Sequence, residues 1–247
     1  MRCGGSGYII GDEGAYWQAA VCPDCVVVCG RCGGQRAVWW TDERGYEYCR
    51  DCPVCMPMKQ VVKLLTMARV PVQYELRPIL PKTDEQRVVM RWVLDWVNGY
   101  QRRSPGFLLC GPKGVGKTQI AVTALRKLIE QRSGQSFLFL QARELLSNMQ
   151  AGVKTPYGAY STTITEACEV DVLVLDELKP FRTEWQEEVI EEVITRRYQT
   201  DKTTVGTTNL EEQGLSTMMG EAGERVASRI AEWMPPIEMG GPDLRRG

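Results

Sequence analysis

The chain has 247 residues, a formal net charge of −1 and no histidine, so one ordinary domain plus a smaller unit fits its length and any metal site must use thiolates. A charge near zero with no basic tail gives no reason to expect avid, sequence-independent DNA binding by a lone monomer. No apolar run reaches bilayer-spanning length and Met1-Arg-Cys-Gly-Gly-Ser-Gly7 lacks a signal-peptide core, so a cytoplasmic protein without membrane contact is expected.

Ten cysteines occur, and eight lie before residue 56. Cys29-Gly-Arg-Cys32, sixteen residues, then Cys49-Arg-Asp-Cys52 is zinc-ribbon spacing: two knuckles, each offering a thiolate pair, close a tetrahedron around Zn²⁺. Gly33 and Gly34 suit a knuckle turn, and Ala37–Trp40 with Tyr46–Tyr48 read as the strands of a hairpin between the knuckles. Cys22-Pro-Asp-Cys25 is a third knuckle, leaving Cys3 and Cys55 to complete a second site, and interleaved wiring is equally compatible with the spacing. A region this small buries too little apolar surface to fold unaided, so the zinc is expected to be structural. A disulfide framework or a redox pair are the competing readings, disfavoured by a reducing compartment and by the lack of a thioredoxin-like βαβ context. Trp39, Trp40, Tyr46 and Tyr48 either stack bases or form the core of the ribbon.

Residues 61–105 hold eight Lys/Arg against four Asp/Glu, which is either a local nucleic-acid contact or a solvated helix face. Met58–Arg69 is amphipathic at helical spacing, and Pro71, Pro78 and Pro81 mark an extended connection after it. Thr83-Asp-Glu-Gln86 has the form of a capping box and opens a helix whose Val88, Val89, Trp92, Val93, Trp96 and Val97 are expected to share an apolar face.

Phe107–Cys110 is a short apolar run that reads as a buried strand, followed at once by Gly111-Pro-Lys-Gly-Val-Gly-Lys117-Thr118. This is the P-loop pattern: glycines let successive N–H groups turn inward around a phosphate, Lys117 reaches the β- and γ-phosphate oxygens, and Thr118 holds Mg²⁺. The cradle comprises Gly111, Pro112, Lys113, Gly114, Val115, Gly116, Lys117, Thr118 and Gln119, and a helix runs on to Gln131. ATP with Mg²⁺ is the expected ligand. Phe137–Leu140 is a second strand, and Asp171–Glu177 a third that ends in two acids. Asp176 would hold Mg²⁺ through its water shell while Glu177 polarises the attacking water. Thr203–Thr208 is a further β-prone run whose Asn209 either orients that water or caps a helix before Glu211. Gly223–Arg229 is helical and places Arg225 and Arg229 on one face, where one arginine either enters a neighbour's site or pairs with Glu221 or Glu232. Cys110 and Cys168 read as small buried hydrophobes.

Taken together these segments resemble the AAA+ ATPases of the DnaC/DnaI helicase-loader family, which includes the IstB transposition helper. The resemblance runs from about Ala68 to the C-terminus and rests on Gly111–Thr118, Val174-Leu-Asp-Glu-Leu178, Thr195-Arg-Arg-Tyr198, Thr207-Thr-Asn-Leu210, Gly223–Ile230 and Gly241-Pro-Asp-Leu-Arg245. It implies a parallel α/β sheet flanked by helices with an abbreviated lid, preceded by a small zinc-ribbon-like domain. It also implies that Arg229 is an arginine finger with Arg225 beside it, and that Arg245 occupies the place of a second nucleotide-sensing arginine. In that family the N-terminal region engages the replicative DnaB-type helicase, and the ATPase domains line up side by side on single-stranded DNA. The expected organisation is a cysteine-rich zinc-binding domain over 1–60, a linker over 61–82 and an ATPase domain over 83–247. The function implied is ATP-driven loading of the helicase, with a DNA-bound transposition scaffold as the alternative.

Overall fold

The computed structural model describes residues 8–11, 18–21, 37–51, 64–71, 74, 81–131, 134–153, 159–180, 183–211, 214 and 223–244. In the front end it shows two antiparallel hairpins, β1 (Tyr8–Gly11) with β2 (Gln18–Val21) and β3 (Ala37–Thr41) with β4 (Glu47–Asp51). The second is the hairpin expected between the knuckles. Its turn closes because Asp42 accepts hydrogen bonds from the Arg44 and Tyr46 N–H groups (2.9 and 3.0 Å), while Gly45 takes a φ of +82°. Cys49 lies on β4 opposite Trp39. The other expected thiolate ligands, Cys3, Cys22, Cys25, Cys29, Cys32, Cys52 and Cys55, lie outside the described residues.

The remaining strands form one parallel sheet. These are β5 (Phe107–Cys110), β6 (Phe137–Gln141), β7 (Val172–Leu178), β8 (Thr203–Thr208) and β9 (Pro236–Glu238), in spatial order β6-β7-β8-β5-β9. Among the described residues six long helices accompany them: α1 (Asp84–Gly99), α2 (Lys117–Gln131), α3 (Ala142–Val153), α4 (Ala159–Glu169), α5 (Glu184–Gln199) and α6 (Gly223–Trp233). Strands β5, β6 and β7 carry unbroken apolar runs because both faces of the sheet are covered there. Side chains alternate between two cores. Phe107, Leu109, Phe139 and Val174 pack with α1 and α2, whereas Leu108, Cys110, Leu138 and Leu175 pack with α3 to α6.

Helix α1 starts as its sequence dictates. Thr83 Oγ1 accepts from the Gln86 N–H and Gln86 Oε1 accepts from the Thr83 N–H, a reciprocal capping box. Of the expected apolar face, Val89, Val93 and Val97 are buried and Trp92 is half-buried edge-on against Phe107, whereas Val88 points to solvent because it lies off the stripe that meets the sheet.

The segment expected as a linker meets this core. Residues 64–67 are helical, Leu65, Ala68 and Val70 are buried with α1 and α2, and the Phe139 N–H donates to the Ala68 carbonyl (2.7 Å). The residues around 64–70 thus act as packing material for the sheet, because Leu65 and Ala68 find apolar partners on it that an extended tether would forgo.

Arg197 on α5 is wholly buried among backbone carbonyls. Its guanidinium donates to Ala167 O, Cys168 O, Val170 O, Thr203 O and Thr204 Oγ1, at 2.6 to 3.4 Å. Burial pulls its pKa down to about 9, which still leaves it charged at neutral pH. The charge sits at the C-terminal end of α4, where a helix dipole favours a cation. Arg197→Ala orphans these carbonyls, so we expect it to destabilise the fold by about 3 kcal/mol and lower Tm by roughly 10 °C, measured by calorimetry. A shift under about 2 °C would mean water replaces the guanidinium.

Candidate nucleotide site

Strand β5 lies between β8 and β9, so the chain direction of sheet growth reverses beside it. In open parallel sheets ligands bind outside the carboxyl ends of the strands at such a reversal. The expected site residues converge there. The loop after β5 supplies Gly111–Gly116, and α2 begins at Lys117. The end of β7 brings Asp176 and Glu177, and the end of β8 brings Asn209.

The loop has the shape its glycines require. Gly111, Gly114 and Gly116 take φ values of +136°, +86° and +102°, a region that side chains disfavour. Lys117 is buried. Its ammonium donates to Gly111 O (2.7 Å), Pro112 O (2.6 Å) and Asn209 Oδ1 (3.0 Å). Asn209 therefore meets the P-loop lysine directly, at the strand end where a water-orienting amide was expected. Pro112 and Lys113 are exposed at the loop tip, Val115 anchors it in the core, and the Gln119 side-chain amide donates to the Tyr74 carbonyl.

Asp176 is buried, and one carboxylate oxygen accepts from both Thr118 Oγ1 (2.8 Å) and Thr207 Oγ1 (2.7 Å). Burial pushes its carboxyl pKa up, and Glu177 adds to this, while the Thr207 and Thr118 hydroxyls work against it. The pairing of β7 with β8 slips here. Leu175 faces Gly206 and Leu178 faces Thr208, so β7 carries one residue too many, a β-bulge. The bulge sets Glu177 at φ +59° with an exposed side chain, paired to Lys179 at 2.8 Å. An exposed pair of this kind holds weakly and leaves the carboxylate free to be recruited.

Thr207 is the site residue that pattern reading missed. Its hydroxyl donates to Asp176 and accepts from the Glu177 N–H (3.0 Å), tying both acids to β8. Only its position two residues before Asn209 on a β-prone run hinted at it. Thr207→Val keeps the shape and deletes both bonds. We expect turnover to fall about tenfold, from about 1.4 kcal/mol of lost positioning, with little change in Tm. Unchanged turnover would assign Thr207 to packing alone.

Arg229 on α6 donates to Thr195 Oγ1 (2.7 Å) and lies 3.6 Å from Glu191, both on α5. Among the described residues its ion-pair partner is Glu191, while Glu232 accepts from the Tyr198 hydroxyl and Glu221 lies outside the described residues. Arg229 stays partly exposed. Arg225 lies on the same helix, and its side chain and all of Arg245 fall outside the described residues.

A triphosphate and its Mg²⁺ fit these residues. The loop glycines take the positive φ values that a phosphate-wrapping backbone needs, Lys117 supplies a cation, and Thr118 with Asp176 offers the hard oxygen pair that Mg²⁺ prefers.

The sheet order, the P-loop after β5 and the acid-ended strand β7, one strand removed from it, define a P-loop nucleotide-binding fold of the AAA+ type. The chain belongs to the IstB-like ATP binding protein family, whose model matches residues 55–230. A curated relative, the replicative helicase loader DnaC of Buchnera aphidicola subsp. Acyrthosiphon pisum (strain APS), is 27% identical over 156 residues. That alignment covers 60% of this chain and 58% of the relative's own length. The crystal structure of the DnaC helicase loader superposes with a TM-score of 0.59 at 26% identity, over 66% of this chain and 94% of that one. DnaI shares the fold at a TM-score of 0.58 and 22% identity, over 75% of this chain and 98% of that one. No helix among the described residues is long and apolar enough to cross a membrane.

Proposed function

We propose that this protein is an ATP-hydrolysing helicase loader, which places a DnaB-type replicative helicase on single-stranded DNA. The observation that carries the ATPase half is the single network from Lys117 through Asn209 to β8, and from Thr118 through Asp176 and Thr207 to Glu177. The loader half is supported by the relatives named above. Bound Mg²⁺ would neutralise charge on the phosphate oxygens. Thr118, and Asp176 through the ion's water shell, would hold it, and Lys117 supplies a second positive charge. Glu177 leaves Lys179 and takes a proton from the attacking water, which Asn209 orients. Arg229 completes the site of a neighbouring subunit, with Arg225 beside it, in a side-by-side oligomer or filament.

Capture of the native partner tests the loader half. Full-length protein with ATP should retain a hexameric DnaB-type helicase from its own cell lysate, identified by mass spectrometry, and retention should weaken when residues 1–60 are removed. Membership of the IstB-like family, together with the resemblance to IstB transposition helpers, makes a DNA-bound transposition scaffold the second reading. Recovery of a transposase without helicase would replace the first reading with that one.

The domain boundaries at 60 and 82 and the zinc ligands belong to the same proposal. Eight front-end cysteines supply two four-thiolate sites, so purified protein should carry one to two zinc ions per chain. Chelation should unfold the front end and spare the sheet domain, as read by circular dichroism and nucleotide binding. Elemental analysis without zinc would end the ribbon reading.

A further inference from the structure

The three P-loop glycines serve a second purpose in this structure. After β9 the chain crosses the outer side of the P-loop as a strap, Met239–Leu244. A Cβ on Gly111 would lie 2.2 Å from Met239 O, one on Gly114 would lie 2.1 Å from an Asp243 carboxylate oxygen, and one on Gly116 would lie 3.2 Å from Leu244 Cδ1. Each glycine thus turns its missing side chain towards the strap. The strap's other side meets the capped start of α1. Gly240 and Gly241 leave room there for Glu85 and Gln86, whose side-chain atoms lie 2.5 and 2.8 Å from the positions a Cβ would take. The strap is held between the P-loop and a fixed helix end.

Two main-chain hydrogen bonds fasten it. Met239 N–H donates to Cys110 O and Leu244 N–H donates to Gly114 O, both at 2.8 Å. A trans peptide is planar, and its C=O and N–H point in opposite directions. Drawing the Cys110 and Gly114 carbonyls outward onto the strap therefore aims the next N–H groups, those of Gly111 and Val115, to the opposite side. Inward-facing N–H groups are what a phosphate cradle consists of.

We propose that the strap is a positioning element of the nucleotide site, and that Leu244 N–H and Asp243 hold the Gly114–Val115 peptide in its phosphate-binding orientation. The proposal deepens the ATP-site reading and rests on it. Side-chain identity at 244 matters little for the bond, whereas its N–H is essential. ATP affinity of full-length protein, followed with a fluorescent ATP analogue, tests this. Leu244→Pro deletes the donor and should weaken binding about tenfold, the size of one good hydrogen bond. Leu244→Ala keeps the donor and should lose less affinity than Leu244→Pro, whereas equal losses in the two variants would assign the effect to side-chain packing and overturn the proposal. Melting of the nucleotide-free Leu244→Pro protein checks that the fold persists. If it is folded and binds like the parent, the strap proposal falls while the ATP reading stands. If the parent itself does not bind, the ATP reading falls and takes the proposal with it. Where Leu244→Pro does not fold, Asp243 decides. Its carboxylate lies against Gly114, so Asp243→Ala should weaken analogue binding by about threefold or more. A folded Asp243→Ala protein that binds like the parent overturns the proposal.

Discussion

Arg229→Ala is expected to leave ATP binding almost intact while ATP turnover by the assembled protein falls by about 10³ or more, the scale of an arginine finger. The structure supplies the reason binding should survive: Arg229 contacts Thr195 and Glu191 on α5, away from the Lys117–Asn209 network of its own chain. Within one subunit the guanidinium is tethered by a neutral hydroxyl at 2.7 Å and by a carboxylate at the outer limit of ion pairing, a restraint that a neighbour's triphosphate can outcompete. The parent's turnover per subunit should therefore rise with protein concentration or on adding single-stranded DNA. Mixing Arg229→Ala with Lys117→Ala subunits gives the control. Each lacks a different half of a composite site, so interfaces pairing an intact P-loop with an intact Arg229 should regain activity. Turnover independent of concentration, with no recovery on mixing, would make Arg229 a tie between α5 and α6 and nothing more.

Glu177→Gln should retain ATP while kcat drops by about 10²–10⁴, the usual worth of a positioned general base. The substitution preserves size and leaves the main-chain bond from residue 177 to Thr207 in place, so the bulge should persist. It removes the charge that pairs with Lys179, but both groups are about half exposed and stability should scarcely change. A loss confined to kcat, with KM steady or lower, identifies a group used in the transition state. Turnover at the parent rate would exclude Glu177 as the base and direct attention to another acceptor near Asn209.

The sequence alone determined the nucleotide-binding loop, because a P-loop is a contiguous stretch whose chemistry lies in backbone N–H groups, one lysine and one hydroxyl. It also marked the buried strands β5, β7 and β8, since strands covered on both faces are continuous apolar or β-branched runs. The capping box of Thr83 and Gln86 was equally readable, being a contact between residues three apart. What only the tertiary structure decided depends on residues far apart in the chain. The bulge that places Glu177 arises from a register slip between two strands, and no pattern within either strand records it. Thr207 acquires its role by lying across β8 from Asp176, thirty-one residues earlier in the chain. Arg197 looks like a surface residue of a charged helix until α5 packs and surrounds it with carbonyls from α4 and β8. The strap reaches the P-loop only because β9 pairs with β5, bringing Met239–Leu244 against glycines more than a hundred positions away. Local chemistry is written in consecutive residues, whereas a site assembled at strand ends exists only once the sheet order is set.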